Sequence, residues 1–253
     1  MLNITCIVTH HLNQNDPYLL AALEGINWQL PGNYKMTTYV VSSAEKAPDI
    51  KTTDSVKLIH DPKLNNATKK FEFIYNLTKD VTDQFLMHSD DVVMAGDCVK
   101  QMVFGAEIYS KPMIQNVMCN GDIPFNYITV MPLGDSFIPT TTDLDWYRGK
   151  EEYLKQPVGG YPMLINFTFV TFFCTMVSSK VFEIIGMLDE RLDLKNNDLD
   201  FCKRAQENGI NTVINFGSRC LHFGSKTLNI VKTKEDDEKA DKIFREKHFG
   251  ENK

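Results

Sequence analysis

Two adjacent carboxylates follow an apolar run in the first half of the chain. The run 84–87 is typical of a buried strand, and it ends shortly before Asp90 and Asp91. Neighbouring carboxylates repel each other unless a cation or hydrogen-bond donors offset their charge. Hard divalent cations such as Mg²⁺ and Mn²⁺ bind carboxylate oxygens together with substrate phosphates. The pair therefore indicates a site for a metal and a phosphate, although an ordinary turn after a strand has the same composition.

A second acidic feature is the sequence Asn-Asn-Asp-Leu-Asp at 196–200. Successive residues of an α-helix are about 100° apart, so Asp198 and Asp200 point about 200° apart and one of them at most faces a given site. The functional interpretation is a carboxylate aimed at a substrate. The structural alternative is an Asx-type N-cap followed by an acidic first turn. His222 is likewise either a ligand or an ordinary loop histidine.

Strands and helices alternate around the first of these features. Apolar runs predict strands at 3–9, 37–41, 56–59 and 84–87. Apolar residues at helical spacing follow Asp16-Pro17 and recur between 69 and 77. This order favours the α/β class, with a mostly parallel central sheet flanked by helices. Ligands bind such sheets beyond the carboxyl ends of the strands, where Thr9, His10 and His11 also fall.

The second half of the chain is less regular. Gly and Pro residues are frequent at 105–160, as in binding loops. We expect 121–160 to be mobile and to order on ligand binding, with Trp146, Tyr147 and Arg148 as a wall for a sugar. The other predicted elements are strands at 113–119 and 212–216 and helices at 179–185, at 198–206 and after Thr233.

Composition and charge limit the classes of function. The 253 residues include 27 basic and 33 acidic side chains, a net charge of −6, which argues against a general nucleic-acid binder. No run approaches the roughly 18 apolar residues of a membrane helix, and the N-terminal sequence is typical of a strand rather than a signal peptide. We therefore expect a cytoplasmic protein without a transmembrane segment. Six scattered cysteines are typical of buried, reduced thiols, and no glycine-rich phosphate loop is present.

Taken in order, these motifs resemble those of the inverting nucleotide-sugar glycosyltransferases of family two, which have the GT-A (Rossmann-like) fold. The similar segments are 85–92, 185–191, 197–205, 221–225 and 244–250. The first resembles the strand that ends in the DXD motif of the family, and 197–205 resembles its acceptor-helix motif. Two positions differ: Ser89 replaces the first acid of DXD, and Asn197 replaces a glutamate before Asp198.

The resemblance implies one GT-A domain over residues 1–253. A nucleotide-binding half would extend to about 110, and an acceptor half from about 111 would end in a C-terminal helix. The implied reaction moves a sugar from a nucleoside diphosphate sugar, with UDP the expected nucleotide, to a hydroxyl group with inversion at the anomeric carbon. The acceptor would be a glycan, a lipid-linked group or another hydroxyl. The sugar, the acceptor and the oligomeric state stay open.

The resemblance also implies roles for particular residues. Asp198 would be the general base, with a pKa lowered by the helix N-terminus. Asp91 and His222 would hold a Mn²⁺ or Mg²⁺ ion on the diphosphate. The residues expected to contact the nucleotide sugar are Thr9, His10, His11, Ser42, Ser43, Lys69, Lys70, Asp90 and Lys226.

Two alternatives remain at this point. One is a viral-type glycosyltransferase that acts on hydroxymethylated DNA bases, for which Lys69-Lys70 or 150–155 would supply a local basic patch. The other is a non-catalytic GT-A-like module that binds a nucleotide or a glycan. Such a module would explain Ser89 and Asn197, but it would leave Asp198 and His222 without a role.

Overall fold

A computed structural model describes residues 1–109, 111–119, 144–149, 151–157, 164–192, 195–223 and 233–250. The strands are β1 Leu2–His10, β2 Tyr34–Ser42, β3 Val56–His60, β4 Gln84–Ser89, β5 Val92–Met94, β6 Met113–Cys119, β7 Leu164–Asn166, β8 Cys174–Ser178 and β9 Asn211–His222. The α-helices are α1 Asp16–Asn27, α2 Ala67–Thr78, α3 Cys98–Tyr109, α4 Leu144–Arg148, α5 Glu151–Lys155, α6 Ser179–Ile185, α7 Asn197–Glu207 and α8 Lys234–Phe249.

The strands form one central sheet in the order β3-β2-β1-β4-β8-β6-β9-β5, and β7 pairs with β9. The first four of these strands are parallel to one another, as the alternation of strands and helices predicts. The α/β class is therefore confirmed. Beyond β4 the sheet becomes mixed. Strand β8 is antiparallel to β4 and to β6, β6 is parallel to β9, and both β5 and β7 are antiparallel to β9.

Helices cover both faces of the sheet. Alternate residues of β1 point to opposite sides, so Ile4, Cys6 and Val8 pack with α1 and α3. On the other face Ile7 packs with α2, α6 and α7. The ring of Phe182 lies at the centre of this second core, in contact with aromatic rings of β4, α2 and α7. These two apolar cores, one on each face, fix the strands whose carboxyl ends carry the polar clusters.

A smaller apolar cluster holds α4 and α5 against α1. Tyr147 is fully buried there, packs edge-on against Phe223 with the ring centroids 5.8 Å apart, and donates a hydrogen bond to Glu24 at 2.8 Å. Arg148 also donates to Glu24, at 2.7 Å. The prediction that Tyr147 lines a sugar site is therefore wrong, because burial leaves its ring no free face. Residues 121–143, 150 and 158–160 of the predicted mobile segment lie outside the described residues.

Several predicted boundaries are confirmed. Helix α6 ends at Gly186, which has φ 75°, a left-handed conformation that favours glycine. Helix α8 begins after Thr233 with a capping box in which Asp236 is the reciprocal partner. Five cysteines are buried, as expected of reduced thiols: Cys6, Cys98, Cys174, Cys202 and Cys220. Among the helices in the described ranges, none has both the length and the apolar character needed to span a bilayer.

Candidate functional site

The register of the parallel strands brings the predicted nucleotide-contacting segments together. His10 of β1 pairs with Ser42 of β2, and Thr9 pairs with Ser89 of β4. All three strands therefore end at the same edge of the sheet, directly before His11, Ser43 and Asp90-Asp91. Thr9, His11 and Ser43 are half-buried. The sequence-based prediction that these polar clusters fall at strand ends is confirmed.

His10 is the last residue of β1 at this edge of the sheet. Its side chain is fully buried, with Nδ1 2.9 Å from the hydroxyl of Ser42. On the other side of the ring, Nε2 lies 3.1 Å from Oδ1 of Asp16 and 4.0 Å from Oδ2 of Asp90. Burial lowers the pKa of His10, and this effect exceeds the opposing attraction of Asp16. The imidazole is therefore neutral at pH 7.

Lys70 is buried beside His10, which the sequence did not predict. Its ammonium donates to the carbonyl oxygen of His10 at 2.6 Å and to Nδ1 of His11 at 2.8 Å. An ammonium has no lone pair, so Nδ1 of His11 must be the acceptor and the proton must be on Nε2. Burial and the charge of Lys70 lower the pKa of His11 to about 3. His11 is thus a neutral imidazole with a fixed tautomer.

The neighbouring Lys69 points away from this edge. Its ammonium lies 2.9 Å from a carboxylate oxygen of Glu190 on the surface. Adjacent helical residues are about 100° apart, so the burial of Lys70 turns Lys69 toward solvent. Of these two adjacent lysines expected to contact the nucleotide sugar, Lys70 is the one placed at the strand ends. Lys226, another predicted contact, lies outside the described residues.

Asp90 and Asp91 are both buried, and their surroundings differ. Burial, with the charge of Asp91 as the second cause, raises the pKa of Asp90 well above its ordinary value; a hydrogen bond from Asn15 and the charge of Lys70 act in the opposite direction. Oδ2 of Asp90 is buried without a hydrogen-bond partner among the described residues. A buried, unpaired carboxylate oxygen is the kind of atom that a bound hydroxyl group satisfies.

Asp91 faces His222, which comes from the other end of the chain. The two are joined because β5 pairs antiparallel with β9, with Val92 opposite His222. Nε2 of His222 lies 3.4 Å from Oδ1 of Asp91, and the backbone oxygen of Asp91 accepts a hydrogen bond from Phe223 at 2.9 Å. The ring of Phe173 stacks on His222 at 5.0 Å and 18°. Both potential ligands therefore have restricted orientations.

The donor set of this pair fits a divalent cation that binds together with a diphosphate. No group of three or more His, Cys, Asp or Glu side chains suited to a metal occurs in the described part of the chain. Mg²⁺ and Mn²⁺ nevertheless bind to one or two protein groups when substrate phosphates supply other ligands. Asp91 offers a carboxylate oxygen and His222 an imidazole nitrogen, in agreement with that pattern.

His88 is a further polar residue at this end of β4, and no role was predicted for it. It is buried, and both ring nitrogens have no hydrogen-bond partner in the described ranges. Burial lowers the pKa of His88 to about 4, although the charge of Asp91 acts to raise it. The sequence signal was a polar residue that directly follows the apolar run 84–87.

Asp198 lies in the first turn of α7. The N-cap of this helix is Asn196, and Asp198 and Asp200 lie in its acidic first turn, as in the structural alternative. One carboxylate oxygen of Asp198 accepts a hydrogen bond from the amide of Leu199 at 2.8 Å. Burial raises the pKa of Asp198, and this effect exceeds that of the hydrogen bonds from the backbone amides of Leu199 and of Asp198 itself. The expectation that the helix N-terminus lowers the pKa of Asp198 is therefore wrong. A carboxylate with a raised pKa is a stronger base.

Asp200 has a different environment, as the helical geometry predicts. It is fully buried and lies 2.9 Å from Nε of Arg204 and 2.7 Å from both Lys247 and His248 of α8. Burial would raise the pKa of Asp200, but the hydrogen bond from Lys247 and the charge of Arg204 bring it below its ordinary value. Asp200 is therefore an ion-paired residue between helices, and Asp198 is the carboxylate available for chemistry.

One segment connects α7 with the Asp91–His222 pair. The thiol of Cys202 donates to the carbonyl oxygen of Val170 at 3.7 Å, and Phe172 packs edge-on against Phe201. The next residue, Phe173, stacks on His222, and its carbonyl accepts a hydrogen bond from Ser89 at 2.8 Å. Residues 170–173 thus contact both the helix of Asp198 and the strand ends that carry Asp91.

Comparison with known proteins defines the fold. No family model and no curated protein matches the sequence. The structure is similar to that of GalNAc-T7 crystallised with UDP, GalNAc and Mn²⁺, with a TM-score of 0.61 and 11% identity over 88% of this chain and 44% of that one. It is also similar to Staphylococcus aureus TarS (0.54; 12% identity; 98% and 44% covered) and to its fragment 1–349 (0.50; 11%; 84% and 58%).

These neighbours have the GT-A glycosyltransferase fold, which confirms the predicted fold class. The present chain spans about half the length of the proteins that it matches. At 11–12% identity the likeness concerns the fold. The chemistry of the site has to be argued from the residues of this chain.

Proposed function

We propose that the protein is a nucleotide-sugar glycosyltransferase of the inverting type, with UDP as the expected nucleotide and similar to family two. The observation that carries the proposal is the pair of Asp91 and His222 at the strand ends of a GT-A sheet, with residues 170–173 connecting the pair to the helix of Asp198. A carboxylate and an imidazole beside the diphosphate, and a separate half-buried carboxylate, are the groups that such a transfer requires.

The strand ends supply the donor site. The buried Oδ2 of Asp90 accepts a hydrogen bond from a hydroxyl group of the nucleotide sugar. Nε2–H of His11 donates a hydrogen bond to an oxygen or nitrogen atom of the nucleotide. Lys70 already donates hydrogen bonds to His10 and His11. It therefore acts by holding the chain in place where β1 ends and by placing a positive charge near the phosphates. Asp91 and His222 are the residues that would hold Mn²⁺ or Mg²⁺. A cation bound there would supply positive charge beside the diphosphate.

Asp198 accepts the proton of the acceptor hydroxyl. The acceptor oxygen forms a bond to the anomeric carbon while the bond from that carbon to the diphosphate oxygen breaks, and the electron pair of the broken bond leaves with the diphosphate. Attack from the side opposite the leaving group inverts the anomeric centre. The burial that raises the pKa of Asp198 strengthens it as a base.

The test is a panel of nucleotide sugars in Mn²⁺ with released nucleoside diphosphate as the readout. The proposal predicts slow hydrolysis of at least one donor and faster release when a hydroxyl acceptor is added. Binding of a nucleotide sugar without any release, with every acceptor class, would instead identify a non-catalytic module. The DNA-acceptor alternative is less favoured, because Lys69 pairs with Glu190 and Lys155 pairs with Glu152, which neutralises two of its proposed basic residues.

A further inference from the structure

The first turn of α7, which carries Asp198, is held from outside by α8. Oδ1 of Asp241 on α8 accepts a hydrogen bond from the side-chain amide of Asn196 at 2.8 Å. Oδ2 of Asp241 accepts one from the ammonium of Lys195, also at 2.8 Å. We infer that Asp241 is a positioning residue for the Asp198 base. The inference rests on the proposed function, in which Asp198 accepts the acceptor proton.

The backbone of Asn196 explains why the turn needs an external partner. Among the non-glycine residues that the structure describes, Asn196 alone has a positive φ, 68°. This left-handed conformation is tolerated by asparagine but is less favourable than the right-handed one. An N-cap side chain ordinarily binds a free amide of its own helix, yet that of Asn196 makes no such bond. It reaches α8 instead, and that contact helps to hold the strained turn in place.

A second contact, made two helical turns further along α8, holds the same turn of α7. Lys247 and His248 each lie 2.7 Å from Oδ1 of Asp200, and the amide of Asp200 donates to the carbonyl of Asn196 at 2.8 Å. Residues seven apart on a helix lie on one face, so Asp241 and His248 present the same side of α8 to α7. The segment 196–200 is therefore fixed on both sides of Asp198.

The contact of Asp241 is suited to positioning more than to overall stability. Its carboxylate is 42% exposed and the ammonium of Lys195 is 32% exposed, so the ion pair itself contributes little to folding. The proposed donor-site groups lie at the ends of β1, β2, β4 and β9 and on α2, whereas Asp241 bonds to Lys195 and Asn196. Loss of the contact should therefore displace the base without changing the donor site, and a displacement of about 1 Å costs up to about 100-fold in rate.

The test compares three variants with a control on the same helix. Asp241→Ala should lower kcat at least tenfold, with the affinity for UDP in Mn²⁺ unchanged. Asn196→Gly keeps the left-handed backbone and removes the amide, so it should show the same loss of kcat at an unchanged melting temperature. Asp241→Asn keeps an oxygen that accepts from Asn196, and it should recover most of kcat. The control Glu238→Ala removes an exposed carboxylate paired with Lys234 and should match the wild type.

A second readout does not depend on turnover. Hydrogen exchange of the amides of Leu199 and Asp200 should accelerate in Asp241→Ala and stay unchanged in Glu238→Ala. Wild-type kcat in Asp241→Ala and Asn196→Gly, beside an inactive Asp198→Asn, overturns this inference and leaves the proposed function intact. Absence of turnover in the wild type overturns the proposed function, and unchanged exchange at Leu199 and Asp200 overturns the positioning role on its own.

Discussion

The imidazole of His222 lies 3.4 Å from the carboxylate of Asp91, and the pairing of β5 with β9 holds the two residues together. Neither residue alone is a convincing ligand. Together, at the carboxyl ends of the strands and braced by the ring of Phe173, they form a donor pair for a cation bound to a diphosphate.

This pair predicts metal-dependent binding of the nucleotide. Mn²⁺ should strengthen the binding of UDP or a UDP-sugar at least tenfold over binding in EDTA, because the cation offsets the charges of Asp91 and the phosphates. Asp91→Ala should remove this difference. Calorimetry with and without the chelator measures it, and Asp54→Asn in an exposed loop is the control. Equal affinities in EDTA and in Mn²⁺ for the wild type would refute the metal assignment.

The buried ammonium of Lys70 predicts a difference between two adjacent lysines. In Lys70→Met, Nδ1 of His11 loses the hydrogen bond from the ammonium, and a hydrogen bond to a charged group contributes about 1.5–3 kcal/mol to the free energy of unfolding. Lys69→Met removes a surface ion pair with Glu190 and should cost less than about 1 kcal/mol. Urea unfolding of both variants gives the comparison. Equal stabilities would show that the buried contact has no net effect.

His11 predicts a loss of stability in acid. Its folded-state pKa of about 3 lies below the ordinary value of 6.5, so between these values the unfolded chain binds the proton and the folded chain does not. The contribution is complete above pH 6.5 and declines as pH falls toward 3. At pH 5 the decline reaches about 2 kcal/mol at most.

The variant His11→Asn provides the comparison for this effect. Its amide oxygen replaces Nδ1 as the acceptor for Lys70, but it does not titrate. Urea unfolding at pH 7.5 and pH 5 should therefore show a smaller difference for the variant than for the wild type. Identical differences for the two proteins would mean that His11 is protonated in the folded state at pH 5.

Much of this site could be predicted from the sequence, because local patterns determine it. Apolar runs that end in polar clusters place Thr9–His11 and Asp90-Asp91 at strand ends, and parallel pairing brings those ends together. The helical angle between Asp198 and Asp200 predicts their separation, and the structure confirms it. In these cases spacing along the chain is sufficient.

Other parts depend on tertiary contacts that local patterns do not contain. Strand β5 has three residues, too few for a periodic signal, yet its pairing with β9 creates the Asp91–His222 pair. The choice between Lys69 and Lys70 depends on which face of α2 packs on the sheet. The direction of the pKa shift of Asp198 depends on burial, which exceeds the predicted effect of the helix amides.

The substitution Asp198→Asn should lower kcat strongly without lowering the melting temperature. Asparagine keeps an oxygen for the amide of Leu199 and removes a carboxylate that is costly to ionise, so the melting temperature should stay the same or rise. General-base catalysis contributes about 10²–10⁴-fold, and kcat should fall by that factor with the affinity for UDP unchanged. Turnover, calorimetry and thermal unfolding of one preparation give all three values.

The configuration of the released sugar tests whether the protein inverts the anomeric carbon with Asp198 as the base. Proton NMR that follows donor hydrolysis in Mn²⁺ resolves the two anomers before they equilibrate in solution. With Asp198 as the base of an inverting displacement, the inverted anomer should form first in the wild type, and its formation should slow at least 100-fold in Asp198→Asn. Initial release of the retained anomer, or an Asp198→Asn variant with wild-type rate, would contradict it.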